Sequence, residues 1–334
     1  MGQVSVKEIP LSHVQSALHY AQDVVAGRVP ACKWVKAACQ RQLDDLAREN
    51  DPAWPYYFDE DAADRVCVFI GLLRHVKSKW QGNRIALEPF QEFSLCCVFG
   101  WKRKADHLRR FRSVYEELPR KNAKSTKVAG VALYMLIADS EFGAEVYSVA
   151  TTREQARIVF DIAQQMARMD GEFRSKFGIA ALTHSLVVRE SGSKFTPLAA
   201  EGSTLDGLNT SCAIIDELHA HKTRQVHDVM DSSTGARGQP LVWKITTAGS
   251  NRAGVCYDQR IYLTKILNAV LKRHDGLGHK VDGESVDDES FWGVIYTIDE
   301  GDDPLDEATW RKANPNYGIS VDIEDMRRSA AMAK

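Results

Sequence analysis

The sequence predicts an α/β protein with a mainly parallel central sheet, a helical N-terminal region and a small C-terminal subdomain. Two observations carry this. Through the first eighty-odd positions apolar residues recur at three- and four-residue spacing, the period of helices that bury one face. From about residue 110 short apolar runs alternate with helical stretches, as strands joined by helical crossovers do. At 334 residues, 44% hydrophobic and 26% charged, the chain can bury a sizeable core. The expected divisions are residues 1–85, 86–272 and 273–334.

The elements follow in order. Ser12 to Val25 and Cys32 to Glu49 read as helices, parted by Gly27 and Pro30. Ala62 to Val76 is a third amphipathic helix, and Pro89 opens a fourth, its ring suiting an early helical position. FRSVYEEL is an apolar strand, Lys124 to Ala138 a helix and EVYSVA a strand. Arg153 to Met169 is a helix opened by Thr151 and Thr152, both able to cap it. HSLVVRE and KFTPLAA read as a strand pair, SCAIID and LVWKITT as two more strands, and Cys256 to Leu271 as a helix. HDGLGHKVDGESVDDES is a solvated acidic loop on its composition, and the acidic residues from Asp282 to Asp303 read the same way. FWGVIYTID is the last strand, and the tail from Asp306 is mostly helical apart from NPNYG.

A net charge of -2 excludes a uniformly basic protein, so any nucleic-acid contact must come from a local patch. WKRKADHLRRFR, Trp101 to Arg112, is the densest cationic segment. It suits either a surface facing DNA phosphates or a solvated helix face whose charges pair with Glu116 and Glu117. Seven scattered cysteines without a C-x-x-C pair read as reduced thiols in a cytosol, not a zinc site. No apolar run reaches the roughly 18 residues of a membrane span, and the expectation is a cytoplasmic protein with no membrane partner.

LPRKNAKST, Leu118 to Thr126, resembles a phosphate-binding loop, G-x-x-x-x-G-K-[ST], with Leu118 and Ala123 at the glycine positions. Such a loop works because successive backbone amides converge on phosphate at a helix N-terminus. Lys124 adds an ammonium, Ser125 a hydroxyl for Mg²⁺, and Arg120 and Lys121 further positive charge. The same residues also suit a basic turn ahead of an ordinary helix. CAIIDELHAH is an apolar strand ending in Asp216 and Glu217, and a carboxylate there needs a cation or hydrogen bonds. Asp216 would hold Mg²⁺ and Glu217 would polarise attacking water; the alternative is an acidic helix start. His219 and His221 read as ordinary histidines beside it. VWKITTAGS ends a strand in small hydroxyl residues, and PFQEF offers the Gln91 amide, a donor and an acceptor that match an adenine edge.

Taken in this order, PFQ, RKNAKS, DELHAH, TTAG and the tail stretch ANPNYG resemble the ATPase domain of the large terminase subunit of tailed bacteriophages, from about Leu87 to Gly318. The resemblance implies a RecA-like P-loop ATPase with an additional strand and a catalytic glutamate. It implies a motor moving double-stranded DNA through a portal protein into a procapsid, with a small terminase subunit as partner and a ring homo-oligomer in the host cytoplasm. Carried over by position, Glu217, Lys124 and Arg120 are catalytic, and Ser125 and Asp216 bind Mg²⁺. Gln91, Arg120, Lys121, Asn122, Ala123, Lys124, Ser125, Thr126, Thr246 and Thr247 bind ATP, with Thr246 to Gly249 coupling nucleotide state to movement. The family's nuclease domain is expected to be absent, the chain being a truncated piece or one product of a split gene, so nuclease activity is not expected. Some relatives carry an arginine where Asp206 precedes Gly207 here, which leaves Arg224 and Arg237 as unranked substitutes for a trans-acting finger. Two other readings stay open: a P-loop helicase or translocase, and a non-catalytic portal-docking module.

Overall fold

A computed structural model describes residues 11–199, 207–221 and 223–332. Helix α1 (His13–Val25) opens with a capping box in which Ser12 and Gln15 satisfy each other's backbone amides. It is followed by α2 (Lys33–Ala47), the short strand β1 (Tyr56–Phe58) and α3 (Glu60–Leu72). The third helix starts earlier than its apolar pattern suggests, because Asp59 caps it by accepting from the Ala62 amide. It stops at Leu72, where the chain turns extended. Then come α4 (Pro89–Gly100), entered through its proline, and β2 (Trp101–Arg103), which pairs antiparallel with β1 in a ribbon apart from the main sheet.

The remaining strands are β3 (Ser113–Glu117), β4 (Glu145–Ala150), β5 (Ile179–Ala181), β6 (Leu186–Val188), β7 (Ser193–Ala199), β8 (Cys212–Asp216), β9 (Leu241–Thr246) and β10 (Phe291–Ile295). The helices among and after them are α5 (Lys124–Ile137), α6 (Arg153–Met169), α7 (Gly171–Lys176), α8 (Gln225–Ser232), α9 (Val255–Arg273), α10 (Glu307–Ala313) and α11 (Ile323–Met332). The main sheet runs β10-β3-β9-β8-β4-β7-β6-β5, parallel from β10 to β7 and antiparallel at the β6–β5 edge. Strand β9 thus lies between β3, which feeds the basic loop, and β8, which ends in Asp216. This is the additional strand of a RecA-like sheet.

Strands β8, β9 and β10 are buried at every position, as parallel strands are when helices cover both faces. Trp243 meets Glu116, Lys127 of α5 and Phe99 of α4, while its neighbour Lys244 reaches Gln259 of α9. Adjacent residues of a strand point to opposite faces, so α5 and α9 cover opposite faces of the sheet. All seven cysteines are free and buried as small core residues. Among the described residues no helix is long and apolar enough to cross a membrane.

The cationic segment Trp101 to Arg112 is neither a helix face nor a free basic patch. Arg109 lies fully inside, held in a two-point ion pair by Asp139 at 2.7 and 3.1 Å. Arg110 is equally enclosed, bonded to Asp45 at 2.8 Å and to Glu289, with Trp54, Tyr56 and Phe111 rings around its guanidinium. Glu116 and Glu117, the partners expected for this segment, pair instead with Lys127 at 2.6 Å and Arg260 at 3.2 Å. The two arginines tie the segment between β2 and β3 to α2 and to the residues that follow α5 and precede β10, and their burial takes them away from any phosphate surface. Nor is the acidic stretch simply solvated. Asp288 accepts from Tyr262, Glu289 from Arg110, and Asp299 and Asp302 both hold Lys312.

Candidate functional site: the loop at the end of β3 and the carboxylates at the end of β8

Beyond β3 the chain keeps its place beside β9 for one residue more, the Leu118 amide donating to the Thr246 carbonyl at 3.0 Å. It then turns sharply, with Lys121 at φ 66° and Ala123 at φ 57°, ψ 24°. A left-handed alanine costs on the order of 1 kcal/mol, which a glycine would avoid. The backbone therefore keeps the shape expected of a glycine at position 123. Helix α5 starts at once, and its first internal bond is Lys127 amide to Ala123 carbonyl. The amides of Lys124, Ser125 and Thr126 have no partner inside the helix, and they carry the positive end of its dipole. Lys124 Nζ donates to the Leu118 and Pro119 carbonyls, each at 3.1 Å. Burial lowers its affinity for a proton, and the charges of Glu217 and Asp216 raise it.

Because β3 and β8 run parallel on either side of β9, the loop and the two carboxylates lie at the same end of the sheet. Asp216 is buried, and its carboxyl is pushed up to about 6, first by burial, then by the charge of Glu217. The Glu217 amide donates to its Oδ1 at 2.9 Å, and Lys124 opposes the rise. Glu217 itself sits at φ 48°. Its Oε2 lies 3.1 Å from His219 Nδ1. The same ring nitrogen is 3.1 Å from Thr246 Oγ1 and 3.3 Å from Thr247 Oγ1, and the His219 amide donates to Thr246 Oγ1 at 3.1 Å. Thr246 in turn donates to the Thr247 carbonyl at 2.9 Å. A Cβ on Gly249 would stand 2.7 Å from His219 Cβ, so only glycine lets the β9 end lie against this histidine. The sequence reading took His219 for an ordinary histidine; the signal was its place two residues after Glu217, in the short helical turn Leu218–Ala220 that follows β8 and faces paired threonines.

A cleft of about 550 Å³ opens at this end of the sheet, lined by Leu118, Pro119, Arg120, His219, Thr247 and Tyr296. A second cavity of about 290 Å³ lies beside the start of α5, where Gln91, Ala123 and Thr126 meet the 75–88 segment and the tail. Gln91 is buried and its Oε1 accepts from the Glu88 amide at 3.0 Å, closing the start of α4.

Two of the expected loop residues turn elsewhere. Lys121 is exposed and bonded to Asp325 of α11 at 3.0 Å. Asn122 is buried, its Nδ2 donating to Asn314 Oδ1 at 3.0 Å and to the Pro119 and Arg120 carbonyls at 3.2 Å. Only their backbone amides are left for a ligand in the cleft. Arg120 is exposed at its rim. Of the two substitute arginines, Arg237 is bound to the carbonyls of Asn209, Phe142 and Gly143, while Arg224 stands exposed between Asp258 and Asp228. Asp206 lies outside the described residues.

Residues 89–265 match the family model of the terminase large subunit ATPase domain. Residues 285–334 match that of the terminase large subunit endonuclease domain. The second match overturns the expectation that nothing of the nuclease domain would be found here. That expectation looked for an acidic metal cluster after ANPNYG, whereas the match begins before the last strand of the sheet. The terminase large subunit of Enterobacteria phage HK97 is 27% identical over 275 residues, covering 81% of this chain and 49% of that protein. Protein YmfN of Escherichia coli K12 is 41% identical over 129 residues, 39% of this chain and 25% of that protein. The crystal structure of the HK97 large terminase superposes with a TM-score of 0.63 at 24% identity, covering 81% of this chain and 51% of that one. The chain spans about half the length of the HK97 protein. With more than half of its residues inside the first match, the chain belongs to the terminase large subunit family, and residues 89–265 are its ATPase domain.

Proposed function

We propose that the chain binds and hydrolyses ATP with Mg²⁺ as the motor of a DNA-packaging terminase. The observation that carries this is that β3 and β8, parallel on either side of β9, bring the Lys124 loop and the Asp216–Glu217 pair to the same end of the sheet, beside a cleft lined by Arg120, His219 and Thr247. Asp216 is a buried carboxylate short of positive partners, and Ser125 presents a hydroxyl at the helix start. Two hard oxygens of this kind suit Mg²⁺, which would neutralise phosphate charge when bound. Lys124 and Arg120 bind and orient the phosphates, the amides of residues 121–126 cradle them, and Gln91 meets the adenine. Glu217 orients water for in-line attack, held by His219. Thr246 and Thr247 contact both the histidine and the glutamate side, and so pass a change at the phosphate to β9.

In the assembled motor, residues 86–272 together with β10 form the moving core, translocating double-stranded DNA through a portal protein in the host cytoplasm, with a small terminase subunit as partner. A ring of copies would supply a trans-acting arginine. Binding of a fluorescent ATP analogue to the wild type and to Lys124→Ala tests the reading. Saturable, Mg²⁺-dependent binding that falls at least tenfold in the variant supports it. No saturable binding by the wild type leaves a portal-docking module in its place.

A further inference from the structure

The chain is not basic overall, and Arg109 and Arg110 of its densest cationic run are enclosed by carboxylates. A surface that meets phosphate therefore has to lie elsewhere. The connection between α3 and α4 offers one. Its stretch RHVKSKWQGNR holds Arg74, Lys77, Lys79 and Arg84, and no acidic residue occurs from Leu72 to Leu87. The backbone closes it into a hairpin, with Arg74 and Arg84 opposite each other in an antiparallel bridge. The His75 amide donates to the Asn83 carbonyl at 2.9 Å, the Gly82 amide to the His75 carbonyl at 2.8 Å, and the Ile85 amide to the Leu73 carbonyl at 2.9 Å. Val76 and Ile85 are buried and fasten the hairpin to the core, while a single helical turn, Ser78–Trp80, forms its tip.

The four cations are left over by the fold. Arg74 and Arg84 donate to the Gly82 and Leu72 carbonyls, and Lys79 Nζ stands 4.7 Å from the centre of the Trp80 ring. None of the four pairs with a carboxylate among the described residues, whereas the exposed Arg103 and Arg224 do. An external anion thus meets positive charge on a preformed surface with no internal ion pair to break. Lys77, Ser78, Lys79, Gln81 and Asn83 are all exposed, and Trp80 is only half-buried among them. Lysine is depleted at protein–protein interfaces, and this tip has no apolar cluster to form the centre of one, so nucleic-acid phosphate suits it better than an acidic protein.

We propose that the Arg74–Arg84 hairpin grips the phosphate backbone of double-stranded DNA. This rests on the motor reading above and gives it a DNA-contacting surface. Lys77 and Lys79 meet phosphate oxygens, and Arg74 and Arg84 add positive field at the base of the hairpin. Phosphate contacts carry no sequence information, which suits a motor that must hold every sequence it moves. Through Trp80, Asn83 and Arg84 the hairpin also walls the cavity beside the start of α5, so the DNA contact and the phosphate loop share a boundary.

The experiment titrates a labelled DNA duplex with the full chain at several salt concentrations, without nucleotide. Lys77→Ala/Lys79→Ala should weaken binding at least fivefold, equally for duplexes of different sequence. It should also flatten the slope of log affinity against log salt by about 2, at about 0.9 for each lost phosphate contact. Lys272→Ala/Lys280→Ala removes the same charge from exposed lysines bonded to the Gly283 carbonyl and Asp282, and should stay within twofold of the wild type. If the hairpin variant binds DNA as the wild type does, if both double variants weaken it equally, or if the wild type shows no salt-dependent binding, the hairpin is not the contact. ATP binding by the hairpin variant should stay within twofold, because neither lysine lines the cleft or the cavity beside α5. No saturable ATP binding by the wild type would overturn the ATP site and not the hairpin, which the duplex titrations decide alone.

Discussion

Glu217 Oε2 and His219 Nδ1 are 3.1 Å apart, and His219 also reaches the two threonines that close β9. The imidazole therefore fixes the direction of the carboxylate that we propose orients water. His219→Ala should lower kcat for ATP roughly 10–100-fold, the usual cost of losing a partner that orients a reacting group, and leave KM within about twofold. Steady-state ATPase kinetics check this. A rise in KM at unchanged kcat would mean that the histidine only binds substrate.

Asp216 makes the site costly to the fold. Its carboxyl titrates near 6 in the folded protein against an ordinary 3.8, so the folded state holds the proton more tightly than the unfolded one. Stability contributed by that proton is present at low pH and is lost as pH rises from about 4 to about 6. At 1.36 kcal/mol per unit the loss is about 2–3 kcal/mol at neutral pH. Asp216→Asn keeps the acceptor for the Glu217 amide. It should melt higher than the wild type at pH 7 without Mg²⁺, by an amount that shrinks toward pH 4, while losing Mg²⁺-dependent turnover. A variant that melts lower at pH 7 would contradict the assignment.

At Ala123 the left-handed backbone is carried by a residue with a Cβ. Ala123→Gly should raise stability by about 0.5–1 kcal/mol, or roughly 1–2 °C in Tm, strain relief outweighing the added freedom of the unfolded chain. Ala123→Val should lower it. Differential scanning calorimetry of the three proteins decides, and a lower Tm for the glycine variant would show that the turn is not strained.

Arg109 and Asp139 form a buried ion pair, whereas Arg103 and Asp106 pair on the surface. Removing one buried partner leaves a charge without compensation, so Asp139→Ala should cost about 3–5 kcal/mol in urea unfolding. Arg103→Ala should cost less than about 1 kcal/mol. Equal effects would mean that the Arg109 pair is not enclosed.

What the sequence disclosed was the part written in local patterns. Alternating strand and helix runs marked β3, α5, β4, α6, β8, β9 and α9, and residue types at strand ends marked Lys124, Asp216 and Glu217. What it hid was long-range. Nothing near Arg109 or Arg110 announces Asp139 or Asp45, so a cationic run could pass for a surface patch until its partners were seen. The bond from Asn122 to Asn314 spans 192 positions, and no periodicity reports it. Strand β10 falls within the 273–334 subdomain expected from the sequence, yet it pairs in parallel with β3 at the sheet edge. The endonuclease-domain match from residue 285 carries no acidic metal-ligand spacing after ANPNYG by which the sequence alone would announce it.

The most direct test of an ATP site between β3 and β8 is hydrolysis of bound ATP by Glu217→Gln, under conditions where the wild type releases phosphate. The variant should bind Mg·ATP with a Kd within about threefold of the wild type and release phosphate at least a hundred times more slowly, as expected when water loses its orienting group. Phosphate release at the wild-type rate would remove Glu217 from the chemistry, and with it the site proposed at the end of β8.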